Sequence, residues 1–284
     1  MTTYAVTAAS GHLGHLAVEA LLERGVAAGD VVAVVRTPEK VADLGAKGVV
    51  VRAGDYSDRA ALDAALTGVD RLLLVSGSEP GRRIAQHTTV IEAAKAAGVS
   101  RIAYTSILRA DTSGSPLAPD HKGTEEVLAT SGVPFSVLRN SWYLENYTGQ
   151  LGQYLATGTL LGSTHGGRVS AASRADYAAA AVAVLLADAP EQVYELAGDS
   201  FDFTELAATI TEVTGTTVTS QDVSTEEHVK ALQGFGLDEG TAGFVAALDA
   251  SIAAGDLETD RDDLAQLIGR ATTTLAQAVK AARA

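Results

Sequence analysis

The stretch T-A-A-S-G-H-L-G, residues 7–14, follows an apolar run ending at Val6 and precedes a segment of helical period. In a nucleotide-binding β-α-β unit, the loop after the first strand turns sharply and brings backbone N–H groups close to a pyrophosphate. Gly11 and Gly14 stand three residues apart, where close ligand approach and helix packing require glycine. The stretch therefore predicts a dinucleotide-binding loop at the start of an α/β domain.

The first glycine of this loop pattern is replaced by alanine. Ala8 holds its place in a G-x-x-G-x-x-G alignment, and Ala9 holds it in a G-x-G-x-x-G alignment. Alanine fits the position if its φ angle is negative. A methyl group narrows the approach to a ligand but leaves the N–H donors and the helix dipole in place, so we expect a weakened interaction at most.

Apolar runs alternate with amphipathic stretches over the first 140 residues, which predicts repeated β-α units and a Rossmann-type doubly wound parallel sheet. The runs are almost continuously hydrophobic, as expected for strands covered on both faces. The predicted strands are Tyr4–Thr7, Val31–Val35, Val49–Arg52, Arg71–Val75, Arg101–Thr105 and Phe135–Leu138, and the predicted helices lie near 13–24, 38–47, 58–66, 80–97 and 120–131.

The end of the second predicted strand bears on the choice of nucleotide. An acidic residue there would accept the ribose 2′-hydroxyl of NADH, but the sequence has Arg36, with Lys40 one helical turn further on. A guanidinium favours a 2′-phosphate, so we expect NADPH in preference to NADH. The alternative is that Arg36 is a solvated residue at the start of a helix.

Polar residues also follow the third, fourth and fifth strands, at the sheet edge where ligands bind. We expect Asp55 to accept from the adenine amino group and Ser76–Ser78 to lie along the ribose and phosphates, although each is also a common loop residue. The residues predicted to bind the cofactor are Ala8, Ser10, Gly11, His12, Leu13, Gly14, Arg36, Lys40, Asp55, Tyr56, Ser76, Gly77, Ser78, Thr105 and Ser106.

The later part of the chain predicts a different organisation. An alanine-rich helix over 175–188 leads into V-Y-E-L-A-G at 193–198, and the remainder reads as mostly helical, with Thr216–Thr219 as a candidate strand. We expect an NADP-binding Rossmann domain over 1–150, with strand and helix returns near 168–198. A smaller, largely helical substrate-side lobe is expected over 151–284.

The acid that short-chain dehydrogenases use on alcohols is absent from the sequence. No Tyr-x-x-x-Lys occurs: four residues before Lys122 stands Ala118. Ser106 either orients a substrate or caps a strand. Reduction of a quinone yields a weakly basic phenolate, so it needs a flat pocket and an aligned nicotinamide rather than an acid. The segment 139–147 offers Asn140, Tyr143 and Asn146 for substrate positioning, on neighbouring turns if it begins a helix; alternatively the asparagines cap a helix.

Composition limits the partners. A formal net charge of −14 disfavours nucleic acid. The absence of cysteine removes thiolate chemistry, and the histidines show no spacing suited to a metal site. No apolar run is long enough to span a bilayer. We therefore expect a cytoplasmic protein without metal, nucleic-acid or membrane partners, and either a monomer or a homodimer.

The runs TAASGHLG, VVRTPEK, AGDYSD, LLLVSGSE, AAKAAGVSRIAYTS, LRNSWYLENY and SRADYAAAA together resemble the type 2 NAD(P)H:quinone oxidoreductases, NmrA-like atypical short-chain dehydrogenases. The resemblance implies a Rossmann domain, a small C-terminal α/β lobe with a cleft between them, and flavin-free two-electron reduction of quinones by NADPH. By position, the resemblance implies that residues 11–14 and Arg36 bind the cofactor. It also implies that Asn140, Tyr143 and Asn146 belong to the cleft. The chain departs from the family's Gly-Ala-Thr-Gly at residues 8–11 and has Lys122 where an apolar residue is common.

Two further hypotheses remain open at this point. One is a redox tailoring enzyme that acts on a polycyclic quinone or phenol. The other is a non-catalytic protein that senses NADP(H) and changes a protein partner, which the missing Tyr-x-x-x-Lys and Ala8 both permit.

Overall fold

A computed structural model describes residues 1–79 and 81–283. The chain divides into two compact units. Unit 1 comprises Met1–Ala110, Pro119–Asn140 and Arg174–Glu195, and unit 2 comprises Asp111–Ala118, Ser141–Ser173 and Leu196–Ala284. The assignment of the cofactor role to residues 1–150 and of the substrate role to residues 151–284 remains a prediction.

The main sheet belongs to unit 1 and follows the predicted α/β pattern. Its strands are β1 (Tyr4–Thr7), β2 (Val31–Val35), β3 (Val50–Ala53), β4 (Arg71–Leu74), β5 (Arg101–Ile107), β6 (Phe135–Asn140) and β9 (Val193–Leu196). Its helices are α1 (His12–Glu23), α2 (Ala42–Ala46), α3 (Arg59–Ala65), α4 (Arg83–Ala96), α5 (Ala118–Ser131) and α8 (Arg174–Leu186). The strand order is β3-β2-β1-β4-β5-β6-β9, so the Rossmann-type prediction is confirmed.

The strand order reverses at β1, which pairs in parallel with β2 on one side and with β4 on the other. Successive side chains of a strand point to opposite faces, and both faces of these strands are buried. One face contributes Ala5, Val32, Leu72 and Ile102 to a core that also contains Leu62 of α3 and Ile91 of α4. Ligands bind beyond the carboxyl ends of strands at such a reversal, which places the loops after β1, β2 and β4 at the expected site.

Unit 2 has two short sheets and mainly helices. Its strands are β7 (Thr159–Gly162), β8 (Val169–Ser170), β10 (Ser200–Phe201) and β11 (Thr219–Asp222). Its helices are α6 (Glu145–Thr148), α7 (Leu151–Thr157), α9 (Phe203–Thr214), α10 (Thr225–Gly234), α11 (Glu239–Ala253), α12 (Asp263–Ile268) and α13 (Leu275–Arg283). β8 and β10 are antiparallel, whereas β7 and β11 are parallel.

The predicted bounds generally differ from the structure by one or two residues, and two predicted elements differ by more. The helix predicted near 80–97 runs over Arg83–Ala96, and its first predicted residue, 80, lies outside the described residues. The predicted strand Thr216–Thr219 is wrong: only Thr219 belongs to a strand. The N–H of Val218 donates to Thr211 Oγ1 at 2.9 Å, so residues 216–218 close the end of α9 before β11 begins.

Candidate cofactor site

The loop after β1 is built around a strained alanine. Ala8 has a φ of +49°, so the negative φ at which alanine would fit is not found. Its carbonyl accepts the N–H of Gly11 at 2.9 Å, which closes the turn before α1. A left-handed conformation costs an L-residue about 1 kcal/mol, which explains why glycine suits this position.

The start of α1 packs against this loop without room for side chains. A Cβ on Gly14 would lie 2.4 Å from the Ala8 carbonyl oxygen and 3.0 Å from the Ala9 Cα. Gly11 is the N-cap of α1, and within the part of the chain that the structure describes no side chain caps this helix. Ser10, Gly11 and His12 are exposed, whereas Leu13 and Gly14 are buried. The first-turn N–H groups therefore lack a side-chain acceptor, as an anion-binding helix start requires.

Tyr56 fixes the loop after β3 to the centre of the sheet. Its hydroxyl oxygen lies 2.6 Å from both Thr7 Oγ1 and the carbonyl oxygen of Val75. Burial raises the pKa of Tyr56 well above its ordinary value, so the phenol stays neutral. Tyr56 therefore connects the loop after β3 to the carboxyl ends of β1 and β4.

The loop after β4 is held at both backbone polar groups of one residue, Gly77. The Gly77 N–H donates to His87 Nε2 at 2.9 Å, and Arg83 Nε donates to the Gly77 carbonyl at 2.8 Å. His87 Nδ1 lies 3.0 Å from Thr124 Oγ1. His87 is therefore the neutral tautomer that carries its proton on Nδ1. Burial, with a smaller effect of the Arg83 cation, lowers the pKa of His87 to about 3.

We call Gly77, Arg83 and His87 the Gly77 clamp. Gly77 is among the residues predicted to bind the cofactor, whereas Arg83 and His87 are not. Their spacing could have identified them, because residues four apart lie on the same face of a helix. In the structure both are buried on α4. Ser76, just before the clamp, donates its backbone N–H to Thr105 Oγ1 at 2.8 Å, so two predicted cofactor residues are in contact.

The polar side chains on β5 and β6 are engaged within unit 1. Ser106 Oγ donates to Glu125 Oε1 at 2.5 Å. Buried Arg139 forms ion pairs with Glu125 Oε2 at 2.7 Å and Glu195 Oε1 at 2.8 Å. These carboxylates raise the pKa of Arg139 although burial opposes them. Ser106 therefore serves a buried ionic network, and its predicted cofactor contact remains a prediction.

Tyr104 is a phenol on β5 but not a free acid. Its hydroxyl lies 2.8 Å from Nδ1 of buried His121. Burial raises the pKa of Tyr104 above its ordinary value and lowers the pKa of His121 to about 3. Neither group gives up or takes up a proton near neutral pH.

The residues predicted at the adenosine end lie on the expected loops. Arg36 follows β2, and its NH1 forms an ion pair with Glu79 Oε1 at 3.2 Å. Lys40 is exposed in the 3₁₀ turn Pro38–Val41. Asp55 Oδ1 accepts the N–H of Ser57 at 2.8 Å, so the carboxylate also shapes its own turn.

The predicted substrate residues do not share a helix. Asn140 ends β6, Tyr143 forms a bridge with Ala172, and only Asn146 lies in a helix, α6. Ala172 holds the backbone on both sides of Tyr143: its N–H donates to the Trp142 carbonyl at 3.1 Å, and its carbonyl accepts the N–H of Leu144 at 3.0 Å. Asn140 belongs to unit 1, whereas Tyr143 and Asn146 belong to unit 2. The expectation of neighbouring helical turns is therefore wrong, and the substrate roles remain predictions.

Asn140 carries an unused acceptor. Its side chain is buried, and Oδ1 has no hydrogen-bond partner among residues 1–79 and 81–283. A buried carbonyl oxygen without a donor is costly unless a ligand supplies one. This atom lies at the carboxyl end of β6, on the same sheet edge as the loops described above.

Two other clusters of polar side chains each contain a histidine. In unit 2, Ser163 Oγ and Asp249 Oδ2 lie 3.0 and 3.2 Å from the same atom, His228 Nδ1. A hydrolytic triad uses both imidazole nitrogens, so this buried group is structural. In unit 1, His15, Glu19 and Asp43 place ligand atoms within 4.8 Å of one another, which histidine spacing alone did not predict because Asp43 comes from α2. Lys47 Nζ already lies 2.5 Å from Glu19 Oε1.

Within the described part of the chain, no helix combines the length and apolar character needed to cross a membrane.

Comparison with known proteins places this geometry in context. A family described as NAD(P)H-binding matches residues 8–188. The chain is 48% identical to quinone oxidoreductase 2 of Escherichia coli K12 over 277 residues, which cover 97% of this chain and 96% of that protein. The chain is also similar to solved structures, among them the following two. The NADPH complex of the E. coli NADPH-dependent quinone oxidoreductase has a TM-score of 0.96 and 46% identity, covering 99% of this chain and 100% of that chain. Citrobacter sp. triphenylmethane reductase complexed with NADP(H) has a TM-score of 0.93 and 37% identity, with the same coverages.

Proposed function

This chain belongs to an NAD(P)H-binding family that includes quinone oxidoreductase 2, and from that premise we propose that it reduces quinones with NADPH, without a flavin or a metal. The observation that carries the proposal is the uncapped start of α1, packed through Gly14 against the turn at Ala8. The residues present fit a dinucleotide at this point, since the free N–H groups and the helix dipole favour an anion.

Residues of unit 1 would hold the nucleotide along the sheet edge. The first turn of α1 binds the pyrophosphate, and Arg36 binds the 2′-phosphate, because a guanidinium matches a phosphate in charge and shape. The Gly77 clamp and Tyr56 keep the loops after β4 and β3 in position. We assign the other predicted cofactor residues to contacts with the rest of the nucleotide.

Asn140 supports the nicotinamide end of the proposal. Its unpaired Oδ1 is an acceptor, and the carboxamide N–H₂ of a nicotinamide is a donor of matching size. A quinone carbonyl is itself an acceptor and cannot pair with this oxygen. We therefore assign Asn140 to nicotinamide orientation, and Tyr143 and Asn146 to quinone positioning.

When bound, NADPH supplies a hydride, and a quinone accepts that hydride together with a proton from solvent. The residues of this chain need only bind and orient, because the phenolate produced is weakly basic. Ser106, Tyr104 and His121 are tied to buried partners, which agrees with a reaction that uses no protein acid. The same features make reduction of an isolated ketone unfavourable.

The test is a steady-state assay of NADPH oxidation by the purified protein, whose absorption spectrum is first checked for flavin. The panel contains simple benzoquinones and naphthoquinones, polycyclic quinones, and an aliphatic ketone as the negative control. We expect turnover of simple quinones and none of the ketone. Turnover of polycyclic quinones alone would favour the tailoring hypothesis. NADPH binding without any turnover would refute the proposal and favour the sensor.

A further inference from the structure

An ion pair connects the two loops on either side of β1. Arg36 follows β2, Glu79 follows β4, and β1 lies between these strands in the sheet. Arg36 NH1 is 3.2 Å from Glu79 Oε1. The pair therefore connects the loops that flank the proposed pyrophosphate loop, at the reversal of strand order.

Glu79 has a second cationic partner. Its other oxygen, Oε2, lies 3.0 Å from Arg82 NH1 and accepts from Gln86 Nε2 at 2.9 Å. Arg82 NH2 also donates to Ser57 Oγ, in the loop after β3, at 3.1 Å. One carboxylate thus sits between two guanidinium groups, and this cluster has a net charge of +1.

We propose that Arg82 is a second residue that binds the 2′-phosphate of NADPH, and that Glu79 is the exchangeable counter-ion of both arginines. This inference rests on the proposed function. A 2′-phosphate carries more charge than a carboxylate and has three acceptor oxygens, so two guanidinium forks can bind it at once. The 2′-hydroxyl of NADH has no charge and cannot replace Glu79.

The exposure of the cluster makes this exchange easy. The side chains of Arg36, Arg82 and Glu79 are 68%, 63% and 39% exposed. Ion pairs at such positions contribute little to stability, so breaking them has a small cost. Binding of NADPH breaks these ion pairs, whereas binding of NADH leaves them intact. Glu79 therefore moderates the affinity for NADPH and has little effect on that for NADH.

The experiment is a calorimetric titration of NADPH and NADH into wild type, Arg36→Ala, Arg82→Gln and Glu79→Gln. The control is Arg59→Gln, another exposed arginine with two carboxylate partners, Asp63 and Glu92. We expect Arg82→Gln to weaken NADPH binding about tenfold, as for loss of one charge-assisted contact, and Glu79→Gln to tighten it about threefold. NADH affinity should stay within about twofold in both variants, and Arg59→Gln should match wild type.

Several results would overturn the inference. If Arg36→Ala abolishes the preference for NADPH while Arg82→Gln leaves it intact, Arg82 is not a ligand, although the proposed function stands. If Glu79→Gln leaves NADPH affinity unchanged, Glu79 is not an exchanging counter-ion. If the wild-type protein binds neither nucleotide, the proposed function fails and this inference fails with it.

Discussion

Gly14 and Ala8 are so close that a Cβ on Gly14 would lie 2.4 Å from the carbonyl oxygen of Ala8. Helix α1 therefore meets the end of β1 backbone against backbone. The contact brings the N-terminus of α1 to the strand reversal, where a dinucleotide binds. The position of the cofactor loop depends on this contact.

Replacement of Gly14 by alanine should disrupt the loop. We expect Gly14→Ala to lower the free energy of unfolding by about 3 kcal/mol, because backbone atoms cannot yield to the methyl group. Urea denaturation measures the change, and NADPH titration of the folded fraction should show lost affinity. Gly29→Ala is the control, since a Cβ there meets no atom within 4 Å. Equal effects of the two substitutions would contradict the packing argument.

Ala8 and Ala9 allow a paired test of the strained turn. Ala8→Gly removes the left-handed strain, so we expect a protein at least as stable as wild type, with tighter NADPH binding. Ala9 is fully buried and has no such strain, so Ala9→Gly should cost about 1.5 kcal/mol through lost burial and added chain entropy. The midpoint temperature of thermal denaturation should therefore be higher for Ala8→Gly than for Ala9→Gly. The reverse order would show that Ala8 is not strained.

Buried neutral histidines should make the fold sensitive to acid. Burial lowers the pKa values of His87 and His121 to about 3, from about 6.5 in the unfolded chain. Between these values the unfolded state binds more protons, so stability is lost as the pH falls below about 6.5. Each histidine contributes a slope that approaches about 1.4 kcal/mol per pH unit as the pH falls to about 5. Urea denaturation between pH 7 and pH 5 measures this slope.

The variant His87→Gln isolates one of the two histidines. Glutamine keeps an acceptor for the Gly77 N–H but does not titrate, so the slope near pH 5 should fall by about 1.4 kcal/mol per pH unit. Gln153→Asn, at an exposed residue that does not titrate, is the control and should leave the slope unchanged. An unaltered slope in His87→Gln would mean that His87 is not buried as a neutral group.

The Arg139 network should be costly to break. Glu125→Gln leaves buried Arg139 with Glu195 as its remaining carboxylate partner, so we expect a loss of about 2 kcal/mol of stability. The exposed neighbour Glu126 provides the matched control: Glu126→Gln should change stability by less than about 0.5 kcal/mol. Chemical denaturation of the two variants side by side measures the difference, and similar stabilities would show that the network contributes little.

The sequence predicted the sheet well because its strands are buried on both faces. Val31–Val35 is apolar at every position, and β2 has those bounds. The apolar signal ended too early for β5 and β6: both strands continue through polar residues, to Ile107 past Ser106 and to Asn140 past Arg139. Ser106 and Arg139 share Glu125 as a partner, and one sequence does not reveal such a network.

The candidate site was only partly predictable from the sequence, because some of its contacts join elements that are distant along the chain. The positions of Gly11, Gly14 and Arg36 follow from the local order of strand, loop and helix. The Gly77 clamp depends on which face of α4 is buried, and the Arg36–Glu79 pair joins residues that are 43 positions apart in the sequence. The extended backbone at Tyr143 depends on Ala172, which local periodicity cannot indicate.

The most direct test of the central claim is a single-turnover stopped-flow experiment with the purified protein, after its absorption spectrum has been checked for flavin. NADPH-loaded protein is mixed with one equivalent of a simple benzoquinone, and loss of nicotinamide absorbance is followed, with 4-deuterated NADPH as the comparison. We predict oxidation of one NADPH per quinone, a slower rate with the transferred deuterium, and a reduced rate in Asn140→Ala. A protein that binds NADPH but gives no quinone-dependent absorbance loss would contradict the account.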